Sequence, residues 1–257
     1  TLLIFMIGCI IQARLSSTRL PGKVMIKPVC IIPARRGSKS VPNKNVRSIA
    51  GKPLISYTIE SALKSKIFSH VIVSTEDKKT AAIAKKYGAE VPFMRPKYLA
   101  ANNTPLEPVL LHAIEKLNSL GIFFEIFVLR DCTVPFIDVN DMKGAIKLLK
   151  KSDCYSICAS VKAHPNPYFQ MWELDKKGFL KISKTMNKTI TRRQDAPTVY
   201  IIDGLFVLWT KKFLKRRKIL PTKMLPYEIS KEHGHMIDFE FDFKVAELLF
   251  NHKKKHK

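Results

Sequence analysis

The chain has 257 residues, is 46% hydrophobic and carries a formal net charge of +24, enough length and apolar content for one large folded domain and too apolar for a disordered chain. Its longest apolar stretch, Leu2 to Ile11, is about half a membrane span and lacks the basic flank and small-residue cleavage site of a signal peptide, so it reads as a buried strand. Five cysteines (Cys9, Cys30, Cys132, Cys154 and Cys158) include no C-x-x-C pair and no histidine at finger spacing, which excludes a zinc finger and fits reduced, buried thiols in a cytoplasmic protein.

The positive charge is mostly lysine, spread along the chain; only the terminal run from His252 to Lys257 is clustered. Nucleic-acid binders concentrate charge and interleave aromatics, so neither a nucleic-acid nor a membrane partner is expected. Anion binding is instead expected of a few specific cations. In chain order, the first feature is a repeat: Cys9-Ile10-Ile11-Gln12-Ala13-Arg14 is matched by Cys30-Ile31-Ile32-Pro33-Ala34-Arg35, with Ser17/Ser38, Pro21/Pro42 and Lys23/Lys44 following in step. Only the second copy runs on into a helix, through Gly51-Lys52-Pro53-Leu54, so residues 1–27 are expected to be an extra copy of the motif and 28–257 the working domain.

Residues 53–65 predict a helix opened by Pro53, Val71–Thr75 a β-branched strand, and 77–87 a helix stopped at Gly88. Residues 105–119 predict another helix, Phe123–Leu129 a central buried strand, and Asp138–Lys150 a further helix. This alternation predicts an α/β fold, a three-layer, mostly parallel sheet. From about 154 short strands follow (154–161, 168–173, 199–208), an antiparallel excursion with Trp172 and Trp209 expected in the core. A last helix over 240–251, with Phe243, Val245, Ala246, Leu248 and Leu249, is expected to pack back on the sheet.

The chemistry concentrates after the second repeat strand, where Arg35, Arg36, Gly37, Ser38, Lys39, Lys44 and Asn45 form a basic loop at a strand's carboxyl end. Backbone amides and cations there suit a triphosphate, at the place where open α/β sheets bind ligands, although the Walker A spacing is absent. By charge alone the loop reads equally as a solvated basic turn. With Gly51-Lys52-Pro53-Leu54-Ile55, Val73-Ser74-Thr75-Glu76-Asp77, Arg95-Pro96, Arg192-Arg193-Gln194-Asp195 and Asp238-Phe239-Glu240-Phe241-Asp242, however, the chain resembles the acylneuraminate cytidylyltransferases (CMP-sialic acid synthetases) over roughly 29–250, most closely their legionaminic-acid, flagellin-glycosylation branch. The resemblance implies a Rossmann-like nucleotidyltransferase fold and transfer of CMP from CTP to an acidic nine-carbon sugar. It also implies a homodimer built through an excursion at about 160–200.

Residue by residue, the resemblance implies triphosphate contacts at Arg35, Ser38, Lys39 and Lys44, a nucleotide pocket at Asn45 and Arg95, and sugar contacts at Arg193 and Gln194. Two departures carry weight: Asp131-Cys132-Thr133-Val134-Pro135 stands where many sialic-acid enzymes have Gln-Pro-Thr-Ser-Pro, and Met236-Ile237-Asp238 stands for the usual Asp-x-Asp. Asp131 and Asp238 are therefore expected to form a two-carboxylate Mg²⁺ site, as in the related Kdo enzymes, and to serve catalysis with Arg35 and Lys44. Each aspartate alone also reads as a strand-end or helix-cap residue. His233 and His235 read as polar loop residues rather than metal ligands. Substitution at Ile201 and Asp203 points to a sugar other than ordinary sialic acid, with Kdo or pseudaminic acid as alternatives and a catalytically silent nucleotide binder as the reading from another class.

Overall fold

The computed structural model describes residues 26–37, 40–187 and 189–255. The first repeat copy, with Cys9, Arg14 and Lys23, and the loop residues Ser38 and Lys39 lie outside them. Strand β1 (Val29–Pro33) alternates cleanly: Cys30 and Ile32 face one apolar cluster, Val29 and Ile31 the other, so a near-continuous apolar run is buried on both faces. A short ribbon of β2 (Ser48–Ile49) and β3 (Lys52–Pro53) leads into helix α1 (Leu54–Ser65). Then come β4 (His70–Ser74), α2 (Lys78–Lys86), α3 (Leu106–Ser119), β5 (Ile126–Arg130) and α4 (Val139–Lys151).

The helix starts are written in the sequence. Asp77 accepts the Thr80 amide at 2.8 Å at the start of α2, and Asp138 and Asp141 form a reciprocal capping box on α4. Gly88, at φ +91°, follows the end of α2 as expected.

The second half supplies β6 (Ser156–Lys162), the ribbon β7 (Trp172–Leu174) and β8 (Leu180–Ile182), β9 (Tyr200–Trp209), α5 (Thr210–Arg216), β10 (Met224–Glu228) and α6 (Glu240–Lys255). The main sheet runs β10-β6-β9-β5-β1-β4, with β9 antiparallel to both neighbours and the remaining pairs parallel. Helices α1 and α4 cover one face and α3 and α5 the other, the expected three layers. Leu110, Ile114 and Leu117 of α3 are fully buried, each contributing about 1.5–3 kcal/mol of apolar transfer. No helix among the described residues is long and apolar enough to cross a membrane.

Four expectations need correction. Trp172 is 57% exposed on the β7–β8 ribbon, which stands apart from the main sheet, so it is not core; Trp209 does pack against the core. Helix α6 buries Phe243, Ala246 and Phe250 not on the main sheet but in a third cluster with Ile49, Leu54 and Phe136, where Phe250 stacks on Tyr57 at 3.9 Å. Leu248, expected inward, is 70% exposed. The strand expected over 168–173 begins only at Trp172, because Asn166 folds the preceding residues into a turn, its carbonyl accepting the amides of Phe169, Gln170 and Met171.

Candidate active site

Strands β1 and β5 are parallel neighbours, paired Val29 to Phe127 and Ile31 to Leu129, so the loops leaving their carboxyl ends open side by side. Between them lies a cleft of about 330 Å³ whose walls include Arg35, Lys44, Asn45, Arg95, Asp131 and Thr133. The structure thus brings together four of the cations and amides singled out in the sequence and one of the two aspartates.

Each side chain is held by a definable contact. Arg35 reaches across the cleft and donates through Nη1 to the Ala101 carbonyl at 3.3 Å and Asn102 Oδ1 at 3.1 Å. Asn45 donates from Nδ2 to the Arg35 carbonyl at 3.0 Å, which fixes the basic loop from within. Asn43, at φ 53°, makes the left-handed turn that lets Lys44 and Asn45 fold back on the cleft, a conformation asparagine tolerates well.

Arg95 is almost fully enclosed. Its amide donates to the Thr75 carbonyl, its Nη2 donates to the Ser74 carbonyl at 2.9 Å, and Glu76 Oε2 lies 3.4 Å away. Burial lowers its pKa, Glu76 opposes that shift, and Arg35 adds to it; an arginine nevertheless keeps its charge. Glu76 also accepts the Arg36 amide through Oε1 at 2.8 Å, so one carboxylate ties the basic loop to the buried guanidinium. In the sequence Glu76 stands out only as part of the Val73-Ser74-Thr75-Glu76-Asp77 motif. The available signal was an acidic pair, Glu76-Asp77, just beyond a buried strand in a strongly basic chain.

The two aspartates sit on adjoining segments. Asp131 follows the last residue of β5; its amide donates to the Gly204 carbonyl at 3.0 Å, and its Oδ1 accepts the Thr133 amide at 3.2 Å. The Thr133 carbonyl in turn accepts the Ile237 amide at 2.8 Å, which brings the segment bearing Asp238 against the Asp131 turn. Lys44 links the pair to the basic loop: its Nζ donates to the Ile237 carbonyl at 2.7 Å and lies 3.2 Å from Asp238 Oδ1. Asp238 itself is half exposed at the rim and does not line the cleft.

The other candidate ligands near Asp238 are engaged elsewhere. Glu240 binds Arg47 at 2.6 Å, and His235 donates from Nε2 to the Asp242 carbonyl at 2.9 Å. His233 pairs through Nδ1 with Asp141 Oδ2 at 2.7 Å, beside the capping box of α4, which makes it a fastening between that helix and the loop before Asp238.

Asp138, Asp141 and His233 also lie close enough to be metal ligands, but Asp138 Oδ1 and Asp141 Oδ2 already accept the amides of the helix cap and Asp141 Oδ2 also pairs with His233. Arg193 and Gln194 lie in a single helical turn outside the cleft wall, where Arg193 Nη1 donates to His164 Nε2 at 2.7 Å. Among the described residues the structure therefore does not bring these two to the cleft.

Residues 29–253 match the family model described as Cytidylyltransferase. The CMP-N,N'-diacetyllegionaminic acid synthase of Campylobacter jejuni is 32% identical over 231 residues, covering 89% of this chain and 97% of that protein. The pseudaminic acid cytidylyltransferase of the same organism is 31% identical over 239 residues, covering 89% and 99%. Among solved structures, a CMP:2-keto-3-deoxy-manno-octonic acid synthetase complexed with CTP superposes with a TM-score of 0.67 at 15% identity, covering 88% of this chain and 99% of that one, a likeness of fold.

Proposed function

This chain belongs to the cytidylyltransferase family, nucleotidyltransferases that use CTP, and we propose that its acceptor is a nonulosonic acid of the legionaminic or sialic type, converted to its CMP-sugar with release of pyrophosphate. The observation that carries the reading is the cleft itself: Arg35, Lys44 and Arg95 converge at the carboxyl ends of β1 and β5 and face Asp131. Three cations suit a triphosphate, and a carboxylate opposite them suits the reacting end.

In this reading the anomeric hydroxyl of the sugar attacks the α-phosphorus of CTP, and pyrophosphate leaves in line. Arg35 and Lys44 offset charge on the leaving pyrophosphate, with Ser38 and Lys39 assigned to the same task by the loop they belong to. Arg95, with Asn45 behind the loop, fixes the nucleotide. Lys44 is shared between Asp238 and the cleft, so phosphate and carboxylate compete for one ammonium.

A divalent cation fits the residues present. Asp131 uses only Oδ1 in its turn, Asp238 keeps a solvent-facing carboxylate, and the Ile237–Thr133 hydrogen bond holds their segments together. Bound there, Mg²⁺ would supply Lewis-acid charge to the α-phosphate and lower the pKa of the attacking hydroxyl.

The β7–β8 ribbon, exposing Trp172, Leu174, Phe179 and Leu180, supports assembly as a homodimer, with Arg193 and Gln194 reaching sugar only in that assembly. Use of CTP and the four buried free cysteines Cys30, Cys132, Cys154 and Cys158 fit a cytoplasmic enzyme.

Legionaminic and pseudaminic relatives stand at nearly equal identity, so the sugar is decided by assay. A coupled pyrophosphate assay with CTP, Mg²⁺ and a panel of N,N'-diacetyllegionaminic, N-acetylneuraminic, pseudaminic and Kdo acids should give its highest kcat/KM with the first. Highest turnover with pseudaminic acid or Kdo would reassign the acceptor. Release from no sugar would leave a nucleotide binder.

A further inference from the structure

The last residue of β5, Arg130, is fully buried, on the face where Ile126 and Val128 point into the apolar core. Its guanidinium lies among carbonyls rather than carboxylates: Nη1 donates to Gly204 at 2.8 Å, and Nη2 to Val134 at 3.3 Å and Ile137 at 3.5 Å. No ion pair satisfies it among the described residues, and its Nε has no hydrogen-bond partner there. A charged group so placed costs stability, and an apolar side chain would fill the same space more cheaply.

What the arginine holds explains its presence. Gly204 O, its shortest partner, also accepts the amide of Asp131. Gly204 itself sits at φ +78°, packed so closely that a Cβ would lie 2.5 Å from Val134. Val134 and Ile137, the other two partners, belong to the loop that follows Thr133, whose carbonyl receives the Ile237 amide beside Asp238. Three chain segments, the end of β5, the middle of β9 and the 133–137 loop, are thus gathered on one guanidinium that neighbours Asp131 in sequence and is linked through the Thr133 carbonyl to the segment bearing Asp238.

We propose that Arg130 is a positioning residue that sets the separation and orientation of Asp131 and Asp238 for the reacting phosphate, an inference that rests on the cytidylyl-transfer reading. Arg130 touches neither cleft nor substrate, and its effect passes through Gly204, Val134 and Ile137. Misplacing a reacting group by about 1 Å costs on the order of 100-fold in rate.

The test uses Arg130→Met, which fills the buried space without charge, and Arg130→Lys, which keeps the charge but reaches fewer carbonyls. Thermal melting, kcat and KM for CTP are measured, together with water-proton relaxation during Mn²⁺ titration of the CTP-free protein. Arg130→Met should melt within a few degrees of the parent and keep its KM for CTP within about threefold. It should lose about 100-fold in kcat and need about tenfold more Mn²⁺ for half-saturation; Arg130→Lys should fall between.

A folded Arg130→Met protein with unchanged kcat and Mn²⁺ titration would overturn the proposal. So would an Arg130→Lys protein that melts lower while each folded molecule turns over normally, the signature of a purely structural role. If the parent protein releases no pyrophosphate with any sugar, the functional reading fails, whereas the Mn²⁺ titrations still decide whether Arg130 organises the two carboxylates.

Discussion

Glu76→Gln separates charge from shape behind the cleft wall, where Glu76 joins the basic loop to Arg95. The glutamine carbonyl can still accept the Arg36 amide that Glu76 Oε1 takes at 2.8 Å, so the basic loop keeps its anchor. The Arg95 guanidinium, with 3% of its side chain exposed, loses the carboxylate 3.4 Å away and is left with the Ser74 carbonyl. At that distance, with an effective dielectric near 20, the gross attraction is about 5 kcal/mol. Removing one partner of a buried pair costs about 3–5 kcal/mol in practice, and the retained carbonyl dipole puts this variant at the low end, near 3 kcal/mol.

For a domain of this size that corresponds to a fall in melting temperature of roughly 6–12 °C. Loosening Arg95 should also raise the KM for CTP about tenfold, the equivalent of one charge-assisted hydrogen bond. Urea unfolding followed by tryptophan fluorescence reads the first quantity and initial rates at varied CTP the second. A Glu76→Gln protein that unfolds at the parent's urea midpoint and keeps its KM would refute the coupling of loop, carboxylate and buried guanidinium.

Asp131→Asn and Asp238→Asn keep the turn geometry while removing charge; each should lower Mg²⁺-dependent kcat by about 100-fold or more, and an Asp131→Asn protein with normal Mg²⁺ dependence would reduce Asp131 to a turn residue. Arg35→Ala should lose at least about 100-fold in turnover while Arg14→Ala, in the first repeat copy, stays near the parent value; the reverse result would transfer the nucleotide loop to that copy. Glutamate at Trp172 and Leu180 together should convert a dimer into monomers in light scattering with little change in melting temperature, because both side chains are exposed on the ribbon. A monomeric, fully active parent protein would remove the ribbon's role.

The first half of the fold was legible because its signals are local. The apolar runs of β1 and β5 and the acids that open α2 and α4 announce themselves at short range. Strand β10 was not legible, since Pro226 argues against a strand; the structure uses it at a sheet edge, where a missing amide is tolerated. Trp172 and Leu248 mislead in the opposite way, as large apolar residues that the described residues leave exposed.

Of the residues lining the cleft, Arg35, Lys44, Asn45 and Asp131 belong to contiguous sequence motifs that leave a strand's carboxyl end, and Arg95 to the short Arg95-Pro96 motif. Glu76 and Arg130 depend on partners remote in sequence. A charged residue ending an apolar run reads as surface, and only the fold shows that three carbonyls receive Arg130 inside. Arg193 and Gln194 remain apart from the cleft of the single chain.

The most direct measurement is ³¹P NMR of CTP and N,N'-diacetyllegionaminic acid incubated with the protein and Mg²⁺. Attack at the α-phosphorus predicts the simultaneous appearance of one phosphodiester resonance from a CMP-sugar and the resonance of free pyrophosphate, in equal amounts and only when sugar is present. A spectrum in which CTP persists unchanged with every nonulosonic acid, or decays to CDP and inorganic phosphate without sugar, would contradict the assignment.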